Sequence, residues 1–302
     1  MTSRAADVTS APVPPVAPRR RAWERTPFDI TKQLFFLTLV AGLCVIFLYP
    51  FVWAVSASLK PTAQVFDNKL IPGTWQPENY VTVWESAKLF TWLLNSVQVG
   101  FLAAAAVTIS SAIVAFGFAY FRFPGRNILF GLVLATMMLP FAVTMIPVFL
   151  IWNELGLVNT KVPLWAGNLF GSAFYIFLLR QFFLGIPREL FEAARIDGDN
   201  FFTMFWRIAV PLAKPALVVA FIFELQASWN DLIKPLIYLQ DPNLYTIPLG
   251  LKTILDAFGQ SGELQWEIIV AATVITTIPM IVIFFLGQRY FVEGIATSGR
   301  KG

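Results

Sequence analysis

Two short polar runs interrupt an otherwise strongly apolar chain. The first is Glu192-Ala193-Ala194-Arg195-Ile196-Asp197-Gly198, followed by Ile208-Ala209-Val210-Pro211 and Pro215. Carboxylates and guanidinium groups ahead of a glycine suit charge-assisted contact with another protein. The second run is Glu224, Gln226, Ser228, Trp229, Asn230 and Asp231. Its amides and carboxylates suit hydrogen bonding to a hydroxyl-rich ligand, and the Trp229 indole suits stacking on a sugar face.

Other chemistries are excluded by what the chain lacks. It has no histidine and one cysteine, Cys44. Ser-His and Cys-His nucleophiles, His- or Cys-based metal sites and an internal disulfide are therefore ruled out. Gly294-Ile295-Ala296-Thr297-Ser298-Gly299-Arg300-Lys301 imitates a phosphate-binding loop. It fails as one, because Arg300 stands at the lysine position and Lys301 where Ser or Thr is required. No metal or cofactor site is expected in this chain.

Composition defines the surroundings of the polar runs. Of 302 residues, 57% are hydrophobic and 13% charged, against roughly 45–50% and 25% in soluble domains. The mean hydropathy is +0.67. The net charge of +4 is dispersed through loops instead of forming an aromatic-interleaved patch, which argues against nucleic-acid binding.

A span needs about 20 mostly apolar residues, since lipid offers backbone groups no partner. Six segments qualify: Leu34–Ser56, Thr91–Phe121, Ile128–Trp152, Pro163–Leu184, Pro215–Tyr238 and Ile268–Gly287. The first is too long for a signal-peptide core and reads as an uncleaved helix. With the N-terminus cytoplasmic, only Lys60, Lys69, Lys88, Lys161, Lys234 and Lys252 of the 22 basic residues fall outside. That asymmetry places both termini and the Arg180–Lys214 segment in the cytoplasm. Residues 1–30, rich in Pro, Ala and Arg, read as a disordered basic tail near lipid headgroups. The segment from Leu59 to Leu89, with Pro61, Pro72, Pro77, Trp75, Tyr80 and Trp84, reads as an aromatic belt or a surface for an external partner.

Within the charged loop, Pro187 suits a first helical turn, Glu189 and Glu192 complement its positive end, and Gly198 permits reversal. Asn200 suits the cap of a second helix whose Phe201, Phe202, Met204, Phe205 and Ile208 form an apolar face. Pro211 and Pro215 are expected to stop it. Pro140 and Pro147 are expected to kink the third span, and Ala103–Ala106, Ser110, Ser111, Ala112 and Ala115 to permit close helix approach along the second. Glu224 lies deep within the fifth span, where a charge must face protein or water.

The loop residues Glu192-Ala193-Ala194, Asp197-Gly198 and Ile208 followed by Pro211 resemble the EAA loop of ATP-binding-cassette importer permeases, with Val210 where that family usually has Leu. Asn79-Tyr80, Asn95-Ser96, Pro140, Pro147, Trp229-Asn230-Asp231, Pro235-Leu236 and the ending Gln288-Arg289-Tyr290-Phe291 with Gly294 resemble its carbohydrate-type branch, of the maltose and glycerol-phosphate second-permease kind. The resemblance implies an all-α, polytopic membrane protein of the MetI-like permease fold in a bacterial inner membrane. Residues 31–302 would form the six-helix domain, with a coupling loop at about 186–215. It also implies a second permease, two ATPase subunits that bind ATP and Mg, and an extracytoplasmic solute-binding protein delivering sugar. Glu192 is then expected to pair with a basic residue of the ATPase. Glu224, Gln226, Trp229 and Asn230 are expected to line the translocation path, or alternatively Glu224 to pair with the companion permease and Trp229-Asn230 to serve packing. A self-contained secondary transporter, a membrane enzyme and import of glycerol phosphate or another polar solute are the competing readings.

Overall fold

The computed structural model describes residues 27–259 and 265–298, with side chains from 30 to 257 and from 265 to 290. The basic tail before Pro27 and the last residues of the chain, including Gly299-Arg300-Lys301, lie outside the described residues. All regular structure among the described residues is helical. The chain divides at Val52–Trp53. The first part is represented by most of α1 (Pro27–Ser58), apolar on every side, as a helix immersed in lipid must be.

The second part is organised around α3 (Leu89–Tyr120). Its buried residues include Trp92, Ser96, Gly100, Ala103, Val107, Ser111, Ala115 and Ala119, a stripe of mainly small side chains at helical spacing. Small residues bring backbones close and replace the hydrophobic drive that lipid cannot supply. Packed along α3 are α7 (Ala173–Phe183) and α11 (Lys214–Trp229), and α11 also packs on α14 (Trp266–Ser298). The backbone of Gly294 through Ser298 continues α14, so the phosphate-loop imitation begins as helix.

Among the described residues three helices are long and apolar enough to cross a membrane, or up to six if each of three bent pairs counts as one span. The third expected span is not one helix: α4 (Arg126–Ala135, extended by a 3-10 turn to Met138) meets α5 (Phe141–Glu154) at 98°. Pro140 enforces the break, since the residue before a proline avoids helical geometry, and Leu139 is extended at φ −74°, ψ 116°. Pro147 sits inside α5 and does not interrupt it. In the fourth span, α6 (Val162–Trp165) runs into a 3-10 turn ending at Phe170. It then bends 41° into α7 at Gly171, whose φ of +78° few other residues adopt. The fifth is shorter than expected, since α11 stops at Trp229 and a separate short helix spans Ile233–Tyr238.

Two further helices were not distinguished from loop by periodicity, Glu78–Ser86 and Ile247–Gly259. The second of these packs against the start of α3 so closely that a Cβ on Gly250 would stand 2.1 Å from the Trp92 ring. Trp92 is 4% exposed and cannot retreat, because its indole N–H donates to the Pro242 carbonyl at 2.9 Å. Asn95 donates to the carbonyls of Asn243 and Tyr245, and Ser96 accepts from the Ile247 N–H, completing a polar tie at this end. In the segment after α1, the fully buried Lys60 is held by Asp67 at 2.5 Å and by the Lys69 carbonyl at 2.6 Å. That contact holds the Asp67 carboxyl below its ordinary range.

The opposite end of α3 is aromatic. Phe116, 5% exposed, lies within 5.3–5.8 Å, ring centre to ring centre, of Tyr120, Phe183, Phe191 and Phe205. Edge-to-face and tilted packing of such rings adds about 0.5–1.5 kcal/mol per pair beyond burial.

These two ends give separate stability predictions. Gly250→Ala forces overpacking and should lower unfolding free energy by about 1–3 kcal/mol, read as an earlier thermal transition of the detergent-solubilised protein. Phe116→Ala opens a cavity worth about 3–5 kcal/mol and should expose the 188–212 segment to protease while leaving cleavage near Asn243 unchanged.

Candidate functional site

The charged loop is a compact pair of helices whose geometry follows from its punctuation. Pro187 precedes α8 (Arg188–Ile196), which places Glu189 in the first turn, where a carboxylate complements unpaired N–H groups. At the other end, the N–H groups of Asp197, Gly198 and Asp199 donate to Ala193, Arg195 and Ala194 carbonyls at 3.0, 3.2 and 2.9 Å. Gly198 adopts φ +90°, the left-handed conformation that closes a helix. Asn200 then caps the next helix, its Oδ1 accepting from the Thr203 N–H at 2.8 Å.

That second rod runs Phe201–Leu212 and contains a π-helical turn at Phe205–Ala209. Its apolar face is divided: Met204 and Phe205 are buried, whereas Phe202 is 73% exposed. Pro211 does not stop the rod but lies within its last turn, Val210–Leu212. The bend of 79° into α11 comes at Ala213, and Pro215 occupies the first turn of α11, where its missing N–H costs nothing.

The expected docking residues separate by exposure. Glu192, Ala193, Asp197 and Gly198 are exposed, and Ile196 is 87% exposed beside them. Phe191, Ala194, Met204 and Phe205 face inward onto Phe116, Tyr120 and Phe183. Ile208 packs half-buried against the same core, and Pro211 is exposed. A polar cap thus sits on an aromatic root shared with α3 and α7.

The second polar run is arranged differently from its linear appearance. Glu224 is half-buried and accepts from Asn168 Nδ2 at 2.6 Å. Asn168 also donates to the Ala103 carbonyl, while its own carbonyl accepts from Ser110. Tyr175, buried on α7, lies close to the same carboxylate. Through Asn168, Glu224 therefore ties α11 to the turn before Gly171 and to α3. Sequence reasoning missed Asn168 and Tyr175. Asn168 carried a signal, a lone amide within an apolar span that must find a polar partner.

Gln226 and Asn230 are exposed, and Asn230 Nδ2 donates to the Gln226 carbonyl at 2.9 Å. Trp229 departs from the stacking expectation. At 5% exposure it packs with Trp92, Ile247, Ile268 and Ala271, leaving no ring face for a ligand. Among the described residues no group of three metal-ligating side chains converges.

Comparison with known proteins places this geometry in context. Residues 108–297 match the family model described as binding-protein-dependent transport system inner membrane component. The chain is 33% identical to the arabinooligosaccharides transport system permease protein AraQ of Halalkalibacterium halodurans, covering 87% of this chain and 94% of that one. It is 37% identical to the sn-glycerol-3-phosphate transport system permease protein UgpE of Salmonella typhi, covering 86% and 94%. The fold is similar to a chain in the crystal structure of a bacterial ABC transporter involved in import of the acidic polysaccharide alginate, at TM-score 0.75 and 24% identity, covering 88% and 99%. With its apolar bent spans, its α3-centred packing and a matched segment that includes the whole charged loop, the chain belongs to the family of inner membrane components of binding-protein-dependent transport systems.

Proposed function

We propose that this chain is a permease subunit of an ATP-binding-cassette importer for a sugar, in which Glu192 and its neighbours dock onto a separate ATPase. The observation that carries this reading is the loop's division into an exposed cap of Glu192, Ala193, Asp197 and Gly198 and a root buried on Phe116. A push on the cap is passed to α3 and α7 through packed rings instead of being absorbed by a flexible linker. The partners are a second permease completing the path, two ATPase subunits that bind ATP and Mg, and an extracytoplasmic binding protein. The basic-residue asymmetry supports placing the loop and both termini in the cytoplasm.

Nucleotide binding then acts by favouring one arrangement of the spans over another, through differential affinity for the two states. The bends at Leu139–Pro140, Gly171 and Ala213 supply points where segments change angle without unwinding a continuous helix. Gln226 and Asn230 offer exposed amides to the solute, while Glu224 fixes the wall behind them. The names of the sugar-transporting relatives support a sugar as cargo. The glycerol-3-phosphate relative supports a second reading, the same machine carrying a small phosphorylated polyol.

In the assembled transporter, Glu192→Ala should lower solute-stimulated ATP hydrolysis and uptake at least tenfold, about 1.4 kcal/mol of lost coupling, with normal membrane insertion. Gly198→Pro should be more severe. Wild-type uptake in both variants, or uptake by this chain alone in vesicles without ATPase, would refute the docking reading and favour a secondary transporter. For the path, Gln226→Ala should raise the apparent KM about fivefold, one hydrogen bond's worth. Trp229→Ala should instead lower thermal stability, and an unchanged melting profile in that variant would contradict its packing role.

A further inference from the structure

We propose that the turn joining α3 to α4 is a binding site for an anionic phospholipid, with the headgroup on Arg122 and Arg126 and one acyl chain in the groove beside Gly117. At this point the sequence changes abruptly from the apolar end of α3 to Arg122-Phe123-Pro124-Gly125-Arg126, the residue types favoured where a span leaves the hydrocarbon. Gly125 turns the chain with φ +79° so that both arginines border one recess of about 380 Å³.

No carboxylate lines that recess, and neither arginine makes an ion pair among the described residues. Arg126 donates to the Phe121 carbonyl at 3.2 Å, which uses one of its five N–H donors and fixes its direction. A third positive charge stands nearby: Arg180 lies 4.2 Å above the Phe130 ring and bonds the Phe118 carbonyl through Nε. Two guanidinium groups bordering one recess without an acid invite an anion, and a phosphodiester matches their forked geometry.

The second observation selects a lipid over a free anion. A groove of about 410 Å³ opens from the same Arg122 and Phe123 and continues along Val114, Gly117, Phe118 and Phe121, an almost wholly apolar lining. Its floor is Gly117, where an added Cβ would meet nothing within 4 Å. A charged mouth leading directly into an apolar channel on a membrane-embedded chain fits a headgroup with an attached chain. A soluble phosphate would leave the channel unfilled.

Native mass spectrometry of the purified transporter complex, exchanged into detergent with phosphatidylglycerol or phosphatidylcholine, tests this directly and does not depend on any transport assay. The wild type should retain phosphatidylglycerol preferentially. Arg122→Gln combined with Arg126→Gln should weaken that retention about thirtyfold, from two interfacial charges, and the paired Lys substitutions should restore part of it, through charge without the fork. Gly117→Leu, which fills the channel without touching the charges or the core, should weaken it comparably. Equal retention of both lipids by the wild type, or full retention in the paired Gln variant, would overturn the proposal. Loss on charge removal with no effect of Gly117→Leu would identify a headgroup-only anion site and overturn the acyl-chain assignment. Release of a companion subunit from the paired Gln variant with lipid retention unchanged would make the face a protein interface, again overturning it.

Discussion

Burial of the Phe116 ring is the contact on which the architecture turns. It brings together side chains from α3, α7, α8 and the π-helical turn, fastening the charged loop to two helices that already pack along each other. In lipid no solvent drives helices together, so association must come from close packing and specific contacts. A ring surrounded by rings supplies both. Because dense packing resists gradual deformation, the charged helix pair and the two spans beneath it form one mechanical body.

The same constraint explains where the structure tolerates irregularity. The sharp bends at Leu139–Pro140 and Gly171 lie outside the Phe116 cluster, while the bend at Ala213 falls on a small, fully buried member of it. Freed backbone groups near Gly171 find local partners. The Ser172 N–H donates to Ser111 Oγ, and the Asn168 carbonyl accepts from both Gly171 N–H and Ser110 Oγ. Broken helices survive at membrane depth only when neighbouring protein satisfies them in this way.

Much of this was legible in the sequence because local chemistry dictated it. Gly198 had to close a helix and Asn200 had to open one, so the charged loop's two-helix form followed from residues close in the chain. The small-residue stripe of α3 was readable for the same reason. What could not be read depended on partners distant in sequence. Pro140 and Pro147 carry identical local signals, yet only Pro140 breaks the span. Trp229 is swallowed by Trp92 and Ile268, residues far away along the chain. The partner of Glu224, Asn168, is likewise set by the way α11 and the turn before α7 meet α3. The helix at Ile247–Gly259 stayed hidden because Pro248 and Gly250 look like breakers. Pro248 falls in the first turn and Gly250 answers to a neighbouring ring, not to a bend.

The near-contact of Gly250 with Trp92 also decides where movement is permitted. With no room for a methyl group between them and three hydrogen bonds from Trp92 and Asn95 alongside, the first turns of α3 cannot slide and act as a fulcrum. A helix of 32 residues is about 48 Å long. Phe116 lies 24 residues beyond Trp92, about 36 Å, so a tilt of about 10° about that fixed end would sweep it through roughly 6 Å on the same helical geometry. Placing the tight joint at one extremity therefore converts a small angular change into a large stroke at the other.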